Sequence, residues 1–195
     1  ADSGATLGNS TQDNITRVGT VTSGSIGSGV TGLTGIKNCD TWRITSNFQI
    51  PDVGNNYLTA NWERDDTGMM SQTIGTGMTE SSGIFSFPST GLWLVMTNFL
   101  VNTGTTGSWA GFLSLFTRNN GTDSYGGTLS ENYCHVASNM HISGASAQGI
   151  LDVTDISNVK MKFNFKVHSS GSSTTLGGNT NVNYSCVTFI RIGDT

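Results

Sequence analysis

The sequence predicts an all-β protein: a jelly-roll β-sandwich with an extended Gly/Ser/Thr-rich N-terminal arm. Three observations carry that expectation. From residue 39 onward, apolar residues recur with period two in short runs, the spacing that puts them on one face of a strand. Clusters of Gly, Asn, Asp and Ser, the residues of tight turns, separate the runs. No stretch shows the period of about 3.6 that marks an amphipathic helix.

Residues 1–38 form the expected arm or stem. Gly recurs every few positions there and Val, Ile and Leu stand singly, so the segment makes no core of its own. It is either a flexible linker or an arm ordered by packing on neighbours. Ile15, Val18, Val21, Ile26 and Val30 favour the arm, since a linker has little use for β-branched side chains. The opening ADSGATLGNS lacks the basic start and apolar run of a signal peptide, and the missing initiating Met points to processing or to an excised piece.

Residues 39–195 form the expected jelly-roll domain. Strands are read at 42–48 (WRITSNF), 57–62 (YLTANW), 83–87 (GIFSF), 91–101 (GLWLVMTNFLV), 111–118 (GFLSLFTR), 132–142 (NYCHVASNMHI), 148–153 (QGILDV), 159–168 (VKMKFNFKVH) and 181–192 (NVNYSCVTFIRI). VKMKFNFKVH alternates most cleanly: Val159, Met161, Phe163, Phe165 and Val167 on one side, Lys160, Lys162, Asn164, Lys166 and His168 on the other. That is a half-buried strand. NNGTDSYGG and SSGSSTTLGGNTN read as surface loops.

Two strands are apolar on both faces. In GLWLVMTNFLV, Leu92, Leu94, Met96 and Leu100 oppose Trp93, Val95, Phe99 and Val101; in the last strand Tyr184, Cys186 and Ile190 oppose Val187 and Phe189. A sandwich covers one face of each strand with its other sheet. The second face needs a loop, the arm or another subunit, because so large an apolar patch rarely stays in water. Oligomerisation follows as an expectation.

Composition narrows the function. The chain has 195 residues, 35% of them hydrophobic, which is enough for one core. A net charge of −4 with scattered Lys and Arg gives no footprint for nucleic acid. No window approaches the ~18 apolar residues of a membrane span. Cys39, Cys134 and Cys186 are odd in number and lack CxxC spacing, so they read as free, buried thiols and leave the redox compartment open.

SSGIFSFPSTGLWLV resembles the signature of the C1q and tumour necrosis factor superfamily, a Gly-x-Phe-x-x-Pro turn before a Gly-aromatic strand, and YSCVTFIRI is similar to that family's last core strand. The resemblance implies a ten-stranded jelly roll assembled as a homotrimer around an apolar axis, with the first strand, the last strand and the strand after the Pro-Gly turn close to it. On that basis Trp93, Val95, Phe99, Tyr184, Val187 and Phe189 are the candidate trimer interface. No collagen-like repeat precedes the domain and no calcium ligands map onto it. NITRVGTVTSGSIGSGV instead resembles the β-stem repeats of bacteriophage tail fibres and related virion proteins.

Other sites were weighed residue by residue. His135 and His141 share a face but lie ~20 Å apart along a strand, too far to chelate one ion; Cys134 and His135 point oppositely. ERDDTG (63–68) and DVTD (152–155) read as calcium loops or, more simply, as turns capped by their own Asp. No metal site and no cofactor is expected, and no nucleophile elbow, HExxH or P-loop appears. Sequons at Asn9, Asn14, Asn120 and Asn183 are expected by chance in a chain this rich in Asn, Ser and Thr. Tyr57, Trp109 and Tyr125 sit at loop edges as ligand-contact candidates for stacking on sugars, or else pin the loops to the barrel.

The reading that results is a non-enzymatic bacteriophage virion protein at the particle surface. It acts as a tail-fibre knob that contacts the host or as a capsid decoration protein held through its arm. Its partners are itself as a homotrimer, other virion proteins through the arm, and a host surface glycan, with no nucleic acid and no membrane insertion. The alternatives are a secreted C1q-like, lectin-like glycan-binding module and a glycan-degrading enzyme whose paired carboxylates come from distant strands.

Overall fold

A computed structural model describes residues 35–51, 53–66, 73–102, 108–120, 122, 124–136, 142–168 and 173–195. The expected arm lies almost wholly outside them. The chain divides into Ala1–Gly35 and Ile36–Thr195, and the second unit is the β domain.

Its strands are β1 (Cys39–Ile44), β2 (Phe48–Gln49), β3 (Asn56–Tyr57), β4 (Trp62–Arg64), β5 (Thr79–Ser81), β6 (Ile84–Ser86), β7 (Gly91–Asn102), β8 (Ser108–Thr117), β9 (Gly127–Val136), β10 (Ile142–Val153), β11 (Lys160–Val167), β12 (Thr175–Leu176) and β13 (Cys186–Gly193). Among the described residues there is no helix. One sheet runs β2-β12-β7-β13-β1-β4 with β10 on the other side of β7; the second runs β5-β6-β11-β8-β9 with β3 beside β11. Every strand pairing is antiparallel, and the two sheets stack as a jelly-roll sandwich.

The interior is aromatic. Phe99 of the first sheet meets Phe112 and Phe165 of the second with ring centroids 4.7 and 4.9 Å apart, both edge to face. Phe85 gathers Trp42, Trp62 and Phe163 edge to face and Phe189 at a tilt of 38°. Such pairs add about 0.5–1.5 kcal/mol each beyond the area they bury. At the mouth of β7, Gly91 has φ +134°, and a Cβ there would collide with the Gly193 carbonyl and the Arg191 guanidinium. The Gly of the Pro-x-x-Gly turn is therefore a close-approach residue.

Several expected strands shift, for local reasons. The run at 42–48 breaks after Ile44, and YLTANW splits into β3 and β4 around Asn61, whose φ of +66° bends the chain. β9 begins at Gly127, earlier than expected, with a bulge where Ser114 gives way to Leu115. The polar loop before the last strand contains β12, because Leu176 is fully buried while it pairs with both Phe48 and Val101.

Candidate functional site

β7 decides which face of the first sheet is outside. Its burial alternates strictly, with Trp93, Val95, Phe99 and Val101 at 0–1% exposure and Leu92, Leu94, Met96 and Leu100 half-buried. Hydrogen-bond register extends the outward row across four strands: Ile150 of β10, Leu94 of β7, Ile190 of β13 and Cys39 of β1 stand side by side. Below it run Gln148, Met96, Thr188 and Thr41. Ile150 is 56% exposed and Leu94 and Ile190 are half-buried, so the row is an apolar band partly open to its surroundings.

This corrects the candidate interface. Trp93, Val95, Phe99, Val187 and Phe189 are 0% exposed inside one subunit, packed against the second sheet, and present nothing to another chain. Tyr184 alone of the six is outside, 43% exposed. Both faces of β7 are apolar, with the larger side chains filling the interior and the smaller aliphatic set facing out.

Beside the band lies a buried guanidinium. Arg43 points to the outer side of β1, opposite Cys186 and Glu63. Its Nη1 donates to Asp65 Oδ1 at 2.8 Å, its Nε to Glu63 Oε1 at 2.9 Å, and its Nη2 to Glu63 and, at 3.2 Å, to Asp66 Oδ1. Asn183 Nδ2 donates to Asp65 at 2.6 Å and Thr180 Oγ1 to Glu63 at 3.0 Å, tying the segment before β13 to the same cluster. The described carboxylates of the ERDDTG stretch thus clamp an arginine. In the second acidic stretch, Asp155 accepts from the Ser157 amide at 2.7 Å and Asn158 Nδ2 at 2.8 Å, which holds its pKa below the ordinary carboxylate value. That is turn capping.

The three aromatic candidates have different fates. Tyr57 and Tyr125 come together around Lys162, whose ammonium lies 3.8 and 4.2 Å from their ring centroids, and burial lowers its pKa. Tyr125 is 7% exposed, so the expected free loop-edge ring is a packed one that pins its turn to β11. Trp109 opens β8 on the outer face of the second sheet, edge-to-face with Tyr133 at 5.2 Å and with His168 at 5.9 Å. Tyr133, which the sequence reading passed over, is 43% exposed; burial, then the charge and hydrogen bond of Glu131, raise its pKa. The alternation in NYCHV, with Cys134 inward, already placed it outside.

Among the described residues, no histidine pairs with a thiol. Cys134 is buried and His135 exposed on opposite faces of β9, and His141 lies outside the described residues. Burial raises the pKa of Cys39, Cys134 and Cys186, with Asp40 and Asp65 reinforcing the first and last. Where the edges of the two sheets part, an open cleft of about 720 Å³ is lined by Phe116, Arg118, Leu129, Ile150, Asp152 and Asp155.

Two antiparallel sheets stacked in this order form a jelly-roll sandwich that matches tumour necrosis factor-like solved structures. The chain is similar in structure to Eiger TNF from S. frugiperda, with a TM-score of 0.56, 12% identity, and coverage of 80% of this chain and 93% of that one. Murine APRIL matches with a TM-score of 0.53 at 12% identity over 79% and 98% of the two chains. PRD1 vertex protein P5 matches with a TM-score of 0.51 at 14% identity over 82% and 99%. At such identities the likeness is one of fold. No protein-family profile and no curated protein sequence matches the chain.

Proposed function

We propose that the protein is a non-enzymatic structural component of a bacteriophage particle, a homotrimer displayed at the virion surface and anchored through its Gly-rich arm. The observation that carries the assembly is the outward band Ile150–Leu94–Ile190, an apolar row across neighbouring strands that the described residues leave half-buried to exposed. Burying such a band at about 25 cal/mol per Å² is the usual driving force for permanent association. The vertex protein among the structural neighbours and the stem-like arm sequence support the particle context. Between knob and decoration roles, the arm decides: a knob's arm trimerises into a stem, whereas a decoration protein's arm orders on the shell.

Light scattering of the full chain tests the assembly. The expected mass is that of three chains, and Leu94→Asp should reduce it to one while the circular dichroism of the subunit persists. A wild-type monomer at micromolar concentration would sink the trimer. A mass-spectrometric inventory of purified particles tests the virion assignment, which fails if the chain is absent from them.

A further inference from the structure

Four tryptophans occur in the chain, and three have their indole N–H engaged. Trp42 donates to Asp40 at 2.8 Å, Trp62 to the Leu58 carbonyl at 3.1 Å and Trp93 to the Ser89 carbonyl at 3.1 Å. Trp109 has no acceptor among the described residues, although a half-buried indole ordinarily finds one. The lysines of β11 repeat the contrast. Lys160 donates to the Ile156 carbonyl, Lys162 is held between two tyrosine rings, and Lys166 has no partner among the described residues.

The register brings these unspent groups together. Lys166 of β11, Gly111 of β8 and Tyr133 of β9 form one row across the sheet. The next row holds Trp109 and His135, with His168 beside them, its amide donating to the Trp109 carbonyl at 3.0 Å. Rows are ~7 Å apart and strands ~4.8 Å, so the patch measures roughly 10 by 7 Å, the footprint of one or two sugar rings. Gly111 makes it flat, since a Cβ there would collide with the Tyr133 ring lying across it. Edge contacts with Tyr133 and His168 fix the indole in advance, so little side-chain entropy is lost on binding.

We infer that this face binds an acidic saccharide: the sugar ring stacks on the Tyr133 ring with the Trp109 indole at its edge, and its carboxylate or sulfate is held by Lys166 with His168 and the Trp109 N–H. Charge selects the ligand. Among the described residues, the groups here without partners are a cation and N–H donors, in a chain of net charge −4, and the nearby acid, Glu131, accepts from the Tyr133 hydroxyl. A neutral sugar would leave the ammonium unused, and an anion lacking a ring would leave the platform unused. The inference deepens the surface-contact reading by giving it a ligand class, and its test on isolated protein succeeds or fails apart from particle association.

Calorimetric titration of the full chain with a sulfated hexasaccharide, a polysialic-acid oligomer and maltohexaose is the experiment. One or both acidic probes should bind, weakening as salt rises, and maltohexaose should not. Lys166→Gln should lower affinity about tenfold, as loss of one charge-assisted hydrogen bond does. Tyr133→Ser, at an exposed position, should also lower it if Trp109→Ala proves unstable. Lys160→Gln, at the far end of β11, should change nothing. Equal losses for Lys160→Gln and Lys166→Gln would reduce the effect to net charge and overturn the site. So would equal binding of maltohexaose, no binding of either acidic probe, or a Lys166-dependent protein ligand in place of a saccharide.

Discussion

Arg43→Met tests the buried clamp most directly. The guanidinium and Asp65 have side-chain exposures of 0% and 1%, whereas Glu63 and Asp66 are 28% and 78% exposed. Removing the cation leaves the buried Asp65 carboxylate with the Asn183 amide but without its counter-charge, while the other two acids turn to solvent. Removing one partner of a buried ion pair costs about 3–5 kcal/mol. For a domain of this size each kcal/mol shifts the melting temperature by roughly 2–4 °C, so a fall of about 6–20 °C is expected. Differential scanning calorimetry at fixed protomer concentration reads it, since association would otherwise shift the midpoint. Adding Asp65→Leu to Arg43→Met should recover most of the loss, because apolar groups of similar volume replace a buried pair with little penalty. A single-variant loss under about 1 kcal/mol, or a double variant no better than the single, would show that water screens the cluster.

Phe99→Ala should cost about 3–5 kcal/mol in denaturant titration, since the ring is fully buried against Phe112 and Phe165; a cost below about 1 kcal/mol would mean the sheets are not packed there. Cys134 carries its folded pKa above the ordinary 9.0, so its contribution to stability is complete below that value and declines as pH rises through the folded pKa. Wild type should therefore lose more stability than Cys134→Ala between about pH 7 and about pH 10, and an equal loss would remove the thiol as the cause. Asp155 has the opposite sign: its lowered pKa favours the fold above the ordinary carboxylate value and loses that effect as pH falls. Asp155→Ala should speed hydrogen exchange at the Ser157 amide near neutral pH, with the difference shrinking below about pH 4.

Period-two alternation made the fold legible because it survives in the longest strands. β7 and β11 each carry enough alternating residues to declare a face, whereas the small residues of Ser143–Ala147 hid the first half of β10, which is expected from the sequence only at 148–153. The two-residue strands β2, β3 and β12 carry no period, and only tertiary pairing defines them. Site residues were harder for a related reason. A two-faced strand declares that both sides are covered but not by what, and Trp93 and Leu94 are equivalent until the second sheet is placed. Arg43 was invisible as a clamp because its carboxylates come from β4 and the segment after it, and sequence distance hides such contacts. Trp109 was visible as an aromatic at a loop edge, yet its unspent N–H has meaning only beside the satisfied indoles of Trp42, Trp62 and Trp93.

The two outer faces differ in chemistry, and that difference makes their roles separable. The first sheet turns aliphatic side chains outward at Leu94, Ile150 and Ile190; the second turns Trp109, Tyr133 and Lys166. A contact that uses the first leaves the second free, so an assembly of several chains presents several copies of the aromatic patch. Weak binding at each becomes strong retention on a polymer, because linked sites raise avidity by about 10²–10⁴ without new contacts. Leu94→Asp should accordingly lower retention on a surface coated with acidic polysaccharide by at least about tenfold. It should leave the calorimetric affinity for a single hexasaccharide unchanged. Lys166→Gln should lower both. If Leu94→Asp weakened the single-site affinity as much as the surface retention, the patch would depend on assembly, and the separation of faces argued from the strand register would be wrong.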